Sequence, residues 1–158
     1  MAPLEPADPR NPAWTLRLTA AAEGPAWAHA RGQRFAVGDA VSFDEAYPHP
    51  TALEHALAAV GAELVNGLRA QARRRRLEVD AVEALVHGQL KDALAHLGVV
   101  GAGGSPALGR VEVRLYASTV EPEAPLRELL EEVQARAPLV QTLRLAGVEV
   151  AVQLKVAP

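Results

Sequence analysis

The 158-residue chain contains no cysteine. Disulfides, thiolate nucleophiles and thiolate metal sites are excluded together, and several enzyme classes go with them. Aromatic residues are few, two each of Phe, Trp and Tyr, so there is no interleaved stacking platform of the kind that single-stranded nucleic acids use. Neither sign of charge dominates. Nineteen acidic and sixteen basic residues leave a formal charge of -3, which gives no global attraction to nucleic acid or to an anionic membrane. No apolar run reaches the roughly 18 to 20 residues that a bilayer-spanning helix needs. Met1 to Pro12 lack the basic start and apolar core of a signal peptide, and a cytoplasmic protein is expected. Lys, Asn and Met are scarce beside Arg and Ala, a balance that suits a hot environment and a GC-rich genome equally well.

What stands out against these absences is one carboxylate. From Ala56 to Val65 every residue except Glu63 is apolar. A helix apolar around its whole circumference belongs in an interior, and an ionised carboxylate withdrawn from water costs several kcal/mol unless it is paired. Glu63 therefore needs a partner, a proton or access to solvent.

The first twelve residues hold four prolines and read as an extended arm, residues 1–12, ahead of a single domain over residues 13–158. Leu16, Leu18 and Ala20 alternate with polar residues as in a half-buried strand, and Glu23-Gly24-Pro25 supplies a turn. Ala26 to Ala30 follows as a second strand. Phe35 and Val37, then Val41 and Phe43, read as a third strand interrupted at Gly38, completing an antiparallel meander. After the loop from Asp44 to Pro50, Thr51 with Glu54 three residues later forms a capping box, and the helix it opens is expected to run from about Ala52 to Arg74. Val82, Ala84 and Val86 mark a strand, as do Val111, Val113, Leu115 and Ala117. A second helix carries Leu126, Leu129, Leu130 and Val133 and ends at Ala137-Pro138 or slightly later. Val148 to Val156 alternates without fault. The order of three strands, helix, two strands, helix and strand is that of an α+β chain. So apolar a first helix has little in this chain to cover it, and a symmetric homodimer would resolve the imbalance.

The stretch Leu57-Ala58-Ala59-Val60-Gly61-Ala62-Glu63-Leu64, on a helix after a meander and a Pro-containing loop, resembles the OsmC and Ohr family of hydroperoxide-reducing proteins. There the helix reads like Leu-Leu-Ala-Ala-Leu-Gly-Ser-Cys-Leu. The resemblance places the peroxidatic cysteine position at Glu63 and the resolving one, which precedes a proline, at Ala137. It implies the OsmC-like fold in an intertwined homodimer, a glutamate early on the first helix, for which Glu54 is the candidate, and an arginine from the meander, either Arg31 or Arg34. Nine residues on an ideal helix are about half a turn out of phase, so Glu54 and Glu63 diverge if that helix is regular. A capping role for Glu54 is equally open. Peroxide reduction needs a thiolate that becomes a sulfenic acid, and no carboxylate follows that path. Thiol peroxidase activity is expected to be absent.

Other motifs carry less. Arg73 to Arg76 at a helix C-terminus fit the helix dipole and solvent exposure better than a nucleic-acid footprint. The glycine cluster from Gly98 to Ser105 lacks the lysine and the following helix of a phosphate-binding loop. The five histidines form no pair spaced for one helical face, and neither a metal nor any other cofactor is expected. His55 begins the long helix near the family's pocket and remains a candidate. Glu63 has two readings: a residue lining a retained pocket, paired with an arginine across the dimer, or part of a structural ion pair in the interface. Two functions follow. One is a cysteine-free OsmC-like protein that binds a small apolar or acidic molecule, or serves structurally, with itself as partner and neither nucleic acid nor membrane. The other is an enzyme that uses Glu63 with an arginine or His55 in acid-base chemistry.

Overall fold

Alternation and helical spacing become ten elements among the residues that the structure, a computed structural model, describes: 13–39 and 48–157. These belong to two compact units, Met1–Ala52 and Leu53–Pro158. The expected arm before Ala13, and Val41 and Phe43 of the third expected strand, lie outside the described residues.

In the first unit β1 (Arg17–Thr19), β2 (Ala26–Ala30) and β3 (Gln33–Val37) pair in that order as an antiparallel meander. The β2–β3 turn puts Arg31 at φ 48° and Gly32 at φ 80°, the left-handed pair whose twist suits a two-residue hairpin. The register sets Leu18, Ala28 and Phe35 in one cross-strand row and Arg17, His29 and Arg34 in the next. Adjacent rows point to opposite faces. One face is thus apolar, with Ala28 buried at its centre, and the other basic. Beyond β3, Gly38 donates its N–H to the Pro50 carbonyl at 2.8 Å.

The second unit is built on α1 (Ala52–Arg74), whose bounds are those expected from the capping box and the arginine run. Its end is set by Arg76, held at φ 59°. There the N–H of Leu77 reaches the Ala72 carbonyl and that of Arg76 the Arg73 carbonyl, at 3.0 and 3.1 Å. This is a Schellman closure with arginine where glycine is usual. The strands β4 (Ala81–Leu90), β5 (Leu108–Ser118) and β6 (Glu149–Ala157) form a sheet in that order, β4 antiparallel and β6 parallel to β5. A parallel neighbour needs a crossover. It is supplied by α3 (Glu123–Arg136) and α4 (Pro138–Leu145), while a single turn, α2 (Ala93–His96), caps the β4–β5 connection with the Asp92 side chain accepting from Leu94 and Ala95 N–H.

Val60, Leu64 and Leu68 of α1 are buried with Val111, Val113 and Leu115 of β5 and Leu126, Leu129, Leu130 and Val133 of α3. Small residues allow the approach. A Cβ at Gly61 would lie 2.7 Å from Val86 Cγ2, and one at Gly67 would lie 2.5 Å from Val133 Cγ1, so α1 is seated against β4 on one side and α3 on another. Its remaining side is open. Ala56, Ala58, Ala59 and Ala62 are exposed, so the helix that looked interior all round is covered by its own chain only in part.

The α+β order holds, with two additions. The turn α2 was unmarked by any periodicity, and the second helix is two helices. Pro138 stops α3 because it has no N–H to donate and disfavours a helical residue before it, and Ala137 is extended at ψ 106°. The same proline then opens α4 at its first position, where a missing N–H costs nothing.

Candidate functional site

The break at Ala137 faces Glu63. Both carboxylate oxygens of Glu63 accept from the N–H of Leu139, at 3.1 and 3.3 Å, and one also accepts from the N–H of Val140 at 3.4 Å. The second and third N–H groups of α4 are among those a helix leaves without an internal partner. The N-cap residue, Ala137, has no side chain able to accept them. Glu63, 76 residues earlier in the chain, supplies the missing acceptor and sets a negative charge at the positive end of the α4 dipole. The question of how a carboxylate survives on an apolar helix has a local answer. Glu63 is half-exposed and is held by backbone donors of its own unit, a partner that neither reading of an arginine pair had included.

A hollow of about 170 Å³ opens beside this contact, and Glu63, Gln71, Arg136 and Ala137 are on its wall. The two positions singled out in the sequence are therefore neighbours, Glu63 at the rim and Ala137 almost fully buried. A second hollow of about 140 Å³, between α1 and α4, is lined by Leu57, Val60, Leu108, Leu139 and Leu143 and is almost entirely apolar. Gln71 and Arg136 escaped notice in the sequence. Gln71 lies eight residues after Glu63, on the same side of α1 about two turns on, and only the hollow between α1 and α3 brings the two onto one wall.

Other candidates stand elsewhere. Because α1 is a continuous helix, His55 and Glu54 lie roughly 12 and 13.5 Å from Glu63 along its axis, and Glu54 points about half a turn away. Glu54 is exposed in the first turn and His55 half-buried. Arg31 and Arg34 belong to the meander: Arg31 in its second turn, and Arg34 on β3 with its guanidinium 4.6 Å from the centroid of the Trp27 ring. Among the described residues no group of three or more His, Cys, Asp or Glu is placed to hold a metal ion, and no helix is long and apolar enough to cross a membrane. On the outer face of the second sheet a shallow hollow of about 530 Å³ carries Arg110, Glu112 and Arg114. Its charges are matched, Arg110 reaching Glu112 at 2.8 Å and Glu149 at 3.7 Å, and Arg114 reaching Glu112 at 3.6 Å.

Neither a protein-family model nor a curated protein sequence matches the chain. Solved structures do. An OsmC-like protein from Mycoplasma pneumoniae superposes with a TM-score of 0.77 at 14% identity, over 92% of this chain and 98% of its own. The chain has the OsmC fold. The organic hydroperoxide resistance protein OhrB of Bacillus subtilis shares the OsmC fold with a TM-score of 0.57 at 18% identity, over 90% of this chain and 98% of its own. A Vibrio cholerae protein assigned to organic hydroperoxide resistance, with captopril bound in one of its active sites, gives 0.65 at 13% identity, over 94% and 96% of the two chains. This OsmC-fold chain has no cysteine.

Proposed function

We propose that this protein is a cysteine-free relative of the OsmC and Ohr proteins, a cytoplasmic homodimer that has given up thiol chemistry and binds a small apolar or acidic molecule beside Glu63. The observation that carries the reading is the commitment of both Glu63 oxygens to the N–H groups of Leu139 and Val140. The carboxylate at the expected peroxidatic position is a helix cap, and the expected resolving position, Ala137, has no reactive side chain. Neither can form the sulfenic acid through which a thiol reduces a peroxide. The same commitment weighs against the alternative of Glu63 as a general acid or base, since a proton in transit would compete with these donors.

Binding is supported by the two hollows that flank the Glu63–α4 contact, one with Glu63, Gln71 and Arg136 on a largely apolar wall, the other almost entirely apolar. Each is smaller than the roughly 300 to 1,000 Å³ of ordinary ligand pockets. A second copy completing the walls would bring them into range, and the open alanine face of α1 is the surface that such a copy would cover. Captopril in an active site of the Vibrio cholerae protein shows that this fold accommodates a small molecule in that protein.

Sedimentation equilibrium tests the assembly: the expected mass is that of two chains, falling to one in Ala62→Arg, and a wild-type mass of one chain would refute the reading. Cumene hydroperoxide with a dithiol tests the chemistry. No turnover above the blank is expected, and measurable turnover by the purified protein would overturn it.

A further inference from the structure

The arginines on the outer face of the β4–β6 sheet are neutralised by Glu112 and Glu149, whereas among the described residues Arg17 and Arg34 of the meander meet no carboxylate. The register sets Arg17, His29 and Arg34 side by side across three strands, on one face. Arg17 and Arg34 flank His29 on one face, two strands apart, and a small meander has little stability to spare for uncompensated charge. The row is also ordered by its neighbours. Thr19 Oγ1 lies 3.1 Å from His29 Nε2, and the Arg34 guanidinium stacks over Trp27. A stacked guanidinium keeps its in-plane N–H donors open.

We propose that Arg17, His29 and Arg34, with Trp27 as the platform for Arg34, form a binding site for a phosphate monoester. Neighbouring strands are about 4.8 Å apart, so the two arginines rise on either side of His29 with roughly 10 Å between their backbones, a gap that a ligand reached by two long arginine side chains can bridge. A carboxylate offers two oxygens and satisfies one arginine fork. A phosphate monoester offers three terminal oxygens and a charge near -2, enough to accept from both forks and from His29 together. The site lies within the meander and does not depend on the proposed pocket at Glu63.

The test uses the full chain in the Trp14→Phe background, which leaves Trp27 as the sole tryptophan. Inorganic phosphate and phenyl phosphate are titrated at low ionic strength, followed by Trp27 emission and by isothermal calorimetry. Saturable binding of phenyl phosphate, with or without inorganic phosphate, is expected, and binding of inorganic phosphate alone would refute a monoester site. Arg17→Gln with Arg34→Gln should weaken phenyl phosphate binding at least tenfold, whereas Arg73→Gln with Arg74→Gln, which removes two arginines from the end of α1, should leave it unchanged. Absence of saturable binding, equal binding by the Arg17/Arg34 pair variant, or loss in the Arg73/Arg74 variant would overturn the proposal. So would binding of a single-stranded oligonucleotide with neither small phosphate bound.

Discussion

Replacing Glu63 tests the central contact most directly. Glu63→Ala removes the acceptor for two N–H groups at the start of α4 and the charge at its positive end. Loss of a capping acceptor costs about 1 kcal/mol within a range of roughly 0.5 to 2, and loss of a carboxylate at a helix N-terminus about 0.3 to 1. Half-exposure of Glu63 lets water replace part of both, so the expected sum is about 1.5 kcal/mol. For a chain of this size that lowers Tm by about 3 to 6 °C. Glu63→Gln keeps one acceptor oxygen and loses the charge, and should fall about midway. Urea unfolding at a fixed protein concentration, with unchanged m, gives the free energies. Hydrogen exchange supplies the local readout, with the amides of Leu139 and Val140 losing protection before that of Leu115. If Glu63→Ala stays within about 0.5 kcal/mol of the parent, the usual range for a surface change, and those two amides keep their protection, the capping argument is wrong.

Three further substitutions probe the frame around that contact. Gly61→Ala gains about 1 kcal/mol of helix preference but presses a methyl to 2.7 Å from a stiff valine, an overpacking cost of about 1 to 3. Net destabilisation is expected, and a rise in Tm would show that α1 and β4 are not so close. Arg76→Gly relieves a left-handed residue and should stabilise by about 1 kcal/mol, read as a higher urea midpoint; a lower midpoint would disprove the C-terminal closure of α1. Leu64, fully buried, should cost about 2 to 5 kcal/mol when cut to Ala, and a loss below about 1 kcal/mol would place it outside the core.

Much of the frame was legible because local signals agreed. Thr51 and Glu54 at one end and the arginine run at the other bracket α1, and the alternation from Val148 to Val156 shows on one line of sequence which side of β6 faces the core. Pro138 misled because a proline carries two messages, stop and start, and only the extended Ala137 tells which helix it serves. The site was half-visible. Glu63 is conspicuous in its apolar surroundings, but the donors that hold it are backbone atoms 76 residues away, and backbone atoms leave no mark on a sequence. The basic row of the meander was hidden for a related reason: Arg17, His29 and Arg34 become neighbours only through strand register, and the sequence marks Arg34 only as a candidate for the family's meander arginine.

The cap on α4 also bears on how this protein would age. A sulfur at position 63 would change its charge and size each time an oxidant reached it. A carboxylate does not, and with no cysteine in the chain and Met1 its lone methionine, no sulfur lies among the described residues of the core. Within a fold shared with organic hydroperoxide resistance proteins, the joint between α1 and α4 is held by a carboxylate and backbone N–H groups that a hydroperoxide does not oxidise. That joint is neither spent by an oxidant nor in need of a reductant to restore it.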